Sequence, residues 1–362
     1  MYKTIVHWIP QTSLGGCEII LDTFLQGCTD YKHIIITGGD IKGPAVSIWK
    51  EHGAEIIHSK EWWNRNPFKW KTEMTLILKN LPLFEFISWS PSRLPFLRGA
   101  LKTKNKRKIL VHIGSRVKST YIQSLINSLW DCLLRLSNKD VFLIGCSNYV
   151  NTSIKDDLYY SRFKSKGVLN GVRNSFELKY YARESKERLK LCTVSRLDIV
   201  KGHKTMIDNF SFLIKNGINA TFDIIGEGPE RENIELQIKT LGLENNIKLL
   251  GNRKDVNNLL LDYDIFLFNS QPLEGMGIAL AEAMMMGVIP IVNNTPLMRE
   301  MVGEIGYLYD SSDSFVKIVS ILNNDRKLLK QRSIQIRERA KELFSPKYFA
   351  EQYLEVLNDF NE

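Results

Sequence analysis

Twice along this 362-residue chain, short runs rich in isoleucine, valine and phenylalanine alternate with longer segments whose apolar residues recur at helical spacing. That alternation constrains the fold more than any other feature. Apolar runs of this kind suit strands buried on both faces, and helices between them let successive strands lie parallel. In the first half the pattern predicts strands at Thr4–Ile9, His33–Thr37, Glu85–Ser88, Ile109–His112 and Val141–Gly145, with a helix from Gly16 to about Gln26. In the second it predicts strands at Leu189–Ser195, Ala220–Ile225, Ile247–Leu250, Asp264–Phe268 and Val288–Val292, with helices at His203–Lys215 and Gly277–Met286 between them.

The length allows two domains, each with its own core. Leu169-Asn170-Gly171-Val172 offers turn chemistry before a polar stretch and puts the boundary near Asn170–Tyr181. Ser345-Pro346 is a helix start, and Phe349, Tyr353, Leu354 and Leu357 follow at helical spacing. The expected architecture is α/β: one Rossmann-like domain over 1–172, a second over 173–344, and a closing helix over 345–362 that returns to the first. A ligand is expected at the carboxyl ends of the strands, facing a cleft between the halves.

Composition narrows the partners. The apolar fraction of 44% and charged fraction of 25% are those of a globular protein, and no run of 18 apolar residues predicts a membrane span. The opening Met1–Val6 reads as a strand rather than a signal peptide, which implies a cytoplasmic protein. Cys17, Cys28, Cys132, Cys146 and Cys192 are scattered and form no Cys-x-x-Cys pair, so they read as reduced thiols. No histidine cluster has metal-ligand spacing, and no metal site is expected. The net charge of +9 calls for an anionic partner without choosing one.

Chemistry concentrates in Asn269-Ser270-Gln271-Pro272-Leu273-Glu274-Gly275-Met276-Gly277-Ile278-Ala279-Leu280-Ala281-Glu282-Ala283, which follows a buried strand and opens a helix. Its glycines offer backbone N–H groups at a helix N-terminus to an anion or a sugar hydroxyl. Two glutamates eight residues apart are common by chance; set in Glu-Gly-Met-Gly and followed by Ala-Met-Met-Met-Gly-Val-Ile-Pro they are informative. Elsewhere stand Val194-Ser195-Arg196-Leu197, then Lys201-Gly202-His203, then Gly226-Glu227-Gly228-Pro229-Glu230, with Gly15-Gly16-Cys17-Glu18 after the first strand.

Together these blocks resemble the family 4 glycosyltransferases (glycosyl transferases group 1), whose signature is a Glu-x7-Glu block. The resemblance covers most of residues 189–310 and thins to isolated motifs before that. It implies the GT-B fold, with an acceptor-binding first domain and a donor-binding second. By that resemblance Arg196 and Lys201 bind the donor diphosphate, Glu274 the transferred sugar and Glu282 the ribose. Gly275, Met276, Gly277 and Ile278 add donor contacts, Gly15 and Gly16 let backbone approach a phosphate, and His112 lies near the reacting carbon. Two fixed cations suit this task, because a departing nucleoside diphosphate gains negative charge.

The sequence departs from the family in places. Glu300 stands where the family has an acid, but Asn293-Asn294-Thr295 replaces the usual glycine pair before it. His7 and Trp8 stand where small residues are usual, and Ser88-Trp89-Ser90 replaces a histidine-containing strand end.

The expected activity is retaining transfer of a hexose or N-acetylhexosamine from a UDP- or GDP-sugar to a saccharide or lipid-linked saccharide. Abundant Lys, Asn and Ile suggest an AT-rich bacterial gene, and hence a place in surface polysaccharide synthesis: O-antigen, capsule or lipopolysaccharide. No cofactor or metal is expected. The alternatives are a sugar-nucleotide epimerase of similar fold and a non-catalytic nucleotide-sugar-binding subunit. Residues 60–71 interleave cations with large aromatics, and 93–108 carry seven cations and no acid. Both suit an anionic membrane surface and predict peripheral attachment to the inner face of the cytoplasmic membrane. No recognition-module signature supports nucleic acid as a partner.

Overall fold

The alternation resolves into two parallel sheets in the computed structural model, which describes residues 3–102, 108–176, 188–269 and 274–361. The first sheet holds β1 (Thr4–Ile9), β2 (Lys32–Thr37), β3 (Glu55–His58), β4 (Phe84–Ser88), β5 (Ile109–Ile113), β6 (Val141–Gly145) and β7 (Lys164–Gly167), in the order β3-β2-β1-β4-β5-β6-β7. The second holds β8 (Leu189–Val194), β9 (Ala220–Ile225), β10 (Ile247–Gly251), β11 (Ile265–Phe268), β12 (Ile289–Asn293) and β13 (Tyr307–Tyr309), in the order β10-β9-β8-β11-β12-β13. Each order reverses once, between β1 and β4 and between β8 and β11. A doubly wound sheet opens a ligand crevice at such a reversal.

Contacts divide the chain into two units, Met1–Arg173 with Ser345–Glu362, and Asn174–Phe344. In the first, every residue of β1 is buried, and Trp8 meets Trp62 and Trp70 at centroid distances of 4.9 and 5.1 Å. The helix Pro346–Asn361 lies against the helix Gly16–Gly27, where Phe349 and Tyr353 meet Phe24. Gly27 makes this approach possible, because a Cβ there would sit 1.9 Å from the Pro346 carbonyl oxygen. In the second unit, Leu191, Phe210, Phe222, Ile224 and Ile265 belong to one buried cluster on and beside the sheet.

Three strands escape the sequence pattern: β3, β7 and β13. All three are edge strands. β7 reads Lys164-Ser165-Lys166-Gly167 and buries no residue fully, so it carries no apolar signature.

The aromatic, basic segments are largely taken up by packing. Trp62 and Trp70 are core residues, and the Arg93 guanidinium lies 4.9 Å from the Trp62 ring centroid. Arg98 is buried against Asp131 at 2.7 Å. Trp63 and Phe68 stay exposed, and residues 103–107 lie outside the described residues. Among the described residues no helix is long and apolar enough to cross a membrane.

Candidate active site

In the second unit the loops leaving β8, β9 and β11 meet at the reversal of strand order. Gly226 takes φ +140°, and a Cβ there would lie 1.9 Å from the Ser195 carbonyl oxygen; one on Gly228 would lie 2.3 Å from that of Leu197. Only glycine lets the two backbones approach so closely. The Leu197 N–H donates to the Glu227 carbonyl at 2.8 Å, and the Glu230 N–H to the Leu197 carbonyl at 3.1 Å. The 195–198 turn is thereby held against the 226–230 turn.

Beyond it, Gly202 sits in the left-handed region (φ +65°) beside the Asn269 side chain and caps the helix His203–Lys215. His203, the first residue of that helix, lies 2.8 Å through Nε2 from Ser195 Oγ. Burial pushes its pKa down to about 4, so it stays neutral and structural.

This frame presents the two cations differently. The Lys201 ammonium donates to Glu274 Oε2 at 2.5 Å across 73 residues of sequence, and both side chains are largely buried (27% and 17% exposed). The Arg196 guanidinium is 70% exposed and pairs with Asp198.

Downstream, Gly275, Met276 and Gly277 are buried, and a Cβ on Gly277 would press on the Phe268 ring at 2.8 Å. Gly277 caps the helix Ile278–Met285; Glu282, half-buried, lies just over one turn in. The Ile278 N–H turns back to the Met276 carbonyl at 3.0 Å. Ser270–Leu273, the middle of the motif, lie outside the described residues.

In the first unit a cavity of about 530 Å³ opens at the other reversal, lined by Gly15, Gly16, Cys17, Trp89 and His112 among others. The Gly15 N–H donates to Glu18 Oε2 at 3.1 Å. Around Gly16 a Cβ would meet nothing within 4 Å. His112 is buried, which pushes its pKa down to about 4 and keeps the ring neutral. Its Nδ1 lies 2.7 Å from the Tyr353 hydroxyl, while its buried Nε2 has no hydrogen-bond partner among the described residues. A phenol that donates to Nδ1 leaves the imidazole proton on Nε2, and one that accepts leaves it on Nδ1.

Trp89 lines this cavity and Tyr353 is buried against it; the sequence marks the first only as a departure at a strand end and the second only as an apolar position of the closing helix. Their rings stack at 5.5 Å and 19°. The Trp89 indole N–H donates to His7 Nδ1 at 3.1 Å, His7 Nε2 lies 3.0 Å from His33 Nδ1, and His33 Nε2 lies 2.6 Å from the Cys28 carbonyl oxygen. An indole can only donate and a carbonyl only accept, so the direction of the whole chain is set. Both histidines are neutral with the proton on Nε2. Burial lowers the pKa of each.

A family model described as "Glycosyl transferases group 1" matches residues 177–341. An uncharacterized glycosyltransferase of Haemophilus influenzae is 26% identical over 230 residues, covering 62% of this chain and 63% of its own. Across the first curated relatives the matches span from a half to just under two thirds of the relative's length. Among solved structures, a glycosyltransferase from Rickettsia africae superposes with a TM-score of 0.81 at 17% identity, covering 100% of this chain and 99% of its own. Anabaena HepE, solved in complex with UDP, gives 0.76 at 18% identity, covering 99% of this chain and 100% of its own. These likenesses establish the fold: two parallel-sheet α/β units of the GT-B kind.

Proposed function

We propose that this chain, whose residues 177–341 match the glycosyl transferases group 1 family model, is a retaining glycosyltransferase using a nucleotide-diphosphate sugar. The observation that carries this reading is the Lys201–Glu274 pair, which joins two family motifs at the carboxyl ends of β8 and β11. Lys201 binds the diphosphate as the donor arrives, releasing Glu274 to accept hydrogen bonds from the sugar. Arg196 exchanges Asp198 for a phosphate oxygen, and its exposure lets it swing to do so. Glu282 accepts from two ribose hydroxyls, and the Gly275–Gly277 backbone adds sugar and phosphate contacts. In the first unit, Gly15 and Gly16 leave room for a phosphate, and the Nε2–H of His112 donates to an oxygen of the sugar.

During transfer the bond between the anomeric carbon and the diphosphate oxygen breaks, and its electron pair leaves with the diphosphate. The acceptor hydroxyl attacks the same face of the sugar, and its proton passes to the departing phosphate. Lys201 and Arg196 neutralise the charge that develops, and no metal ion is required for that step. The donor is a UDP- or GDP-sugar; HepE, with the same fold, was solved with UDP. The acceptor is a saccharide or lipid-linked saccharide of a bacterial surface polysaccharide.

Incubating the purified protein with radiolabelled UDP- and GDP-sugars and oligosaccharide acceptors tests this reading. Label moving into the acceptor with the anomeric configuration kept, and undiminished by EDTA, is the expected result. Isomerised sugar nucleotide would mark an epimerase, and binding without turnover a non-catalytic subunit.

A further inference from the structure

The helix Tyr121–Leu133 has its polarity inverted. Tyr121, Ile122, Leu125, Ile126, Leu129 and Leu133 are each between 46% and 74% exposed. At 100° per residue these six fall on one continuous stripe along the helix. The opposite side carries Ser124, Asn127, Ser128 and Asp131, all half-buried or buried. Asp131 accepts from Arg98 at 2.7 Å and from the Tyr159 hydroxyl at 2.9 Å, and Ser128 accepts from Arg162 at 2.8 Å. A surface helix ordinarily turns its apolar stripe inward. Here a buried ion pair holds the polar side in, and six large apolar side chains are left facing water.

The exposed charges that flank this helix between residues 114 and 139 are all basic. Arg116 and Lys118 precede the helix, Arg135 and Lys139 follow it, and Lys102 lies alongside, bonded to the Arg135 carbonyl, while Arg162 is held on the polar side by Ser128 and, at 3.7 Å, by Asp131. All six are exposed. Between Gly114 and Lys139 the only acid is Asp131, which is buried.

We propose that this helix is a membrane-docking element: its apolar stripe enters the headgroup layer of an anionic bilayer while the surrounding cations meet lipid phosphates. An apolar face of six large side chains gains by leaving water, and each cation near an anionic surface adds to the attraction. The helix is long enough, roughly 20 Å, to lie flat in that layer. These flanking cations favour an anionic lipid surface over a second protein. The docking surface is thus Tyr121–Leu133 and its flanks rather than the tryptophans of residues 60–71.

Vesicle sedimentation at low salt tests the proposal with the full-length chain and a double variant, Leu125→Gln with Leu129→Gln. Phosphatidylglycerol–phosphatidylethanolamine vesicles should retain the wild type better than phosphatidylcholine vesicles do. The variant should bind the anionic vesicles at least about tenfold more weakly, with an unchanged Tm and an unchanged thermal shift with UDP. A second pair, Ile122→Gln with Leu133→Gln, guards against one variant misfolding. Failure of the wild type to bind, or equal binding by both variants, would overturn the idea. So would a wild-type dimer that the substitutions split while vesicles stay unbound, since the stripe would then be a protein interface. Donor binding is read separately, so neither result decides the other.

Discussion

The ammonium of Lys201 and the carboxylate of Glu274 hold one another until an anionic ligand divides them. Lys201→Ala should therefore lower kcat about a hundredfold, roughly 3 kcal/mol of transition-state stabilisation, while changing donor affinity less. Glu282→Ala should do the reverse and raise the donor Kd about tenfold in a titration, since ribose hydroxyls are held equally before and during transfer. These positions were legible because each sits inside a short motif of fixed spacing. The contacts of Tyr353 with His112 and of Trp89 with His7 were not, because they span 241 and 82 residues and follow no local pattern. Acid probes the buried histidines directly. His112 and His203 have folded pKa values near 4 against an ordinary 6.5, so below pH 6.5 the unfolded chain takes up protons that the folded chain refuses. Stability should be full above that value and fall as pH drops from 6.5 towards 4, by roughly 2 kcal/mol per buried histidine at about pH 5. Urea unfolding at about pH 7.5 and about pH 5 measures the difference.

Among elements, what could be read beforehand depended on position in the sheet. Central strands such as β1 and β11 are buried throughout and announced themselves as apolar runs. Edges β3, β7 and β13 have one neighbour, need less burial and left little trace in composition, whereas edge β10, with Ile247, Leu249 and Leu250, was still readable. Turn glycines divide in a similar way. Gly217 (φ +81°) has open space where a Cβ would go, whereas Gly226 (φ +140°) faces the Ser195 carbonyl. Gly217→Ala should cost only the backbone term, about 1 kcal/mol; Gly226→Ala adds a backbone clash and should cost about 3 kcal/mol or more, with donor binding lost as the 195–198 turn shifts. Comparing urea midpoints and donor titrations of the two variants separates conformation from contact.

For the whole molecule, the helix Pro346–Asn361 matters out of proportion to its size. It covers Phe24 with Phe349 and Tyr353, and it supplies the hydroxyl that orients His112. Ending the chain at Phe344 should strip that cover from the first unit. The expected outcome is dye-binding apolar surface and a lower unfolding temperature for that unit, with the melting of Asn174–Phe344 little changed, as differential scanning calorimetry would resolve. A related consequence concerns synthesis. The first unit is sewn shut by residues 345–361, which follow the second unit in sequence, so the ribosome must finish the entire second unit before the first can close. At ~5–20 residues per second that is a wait on the order of ten seconds, with the seat for Phe349 and Tyr353 open to any passing chaperone.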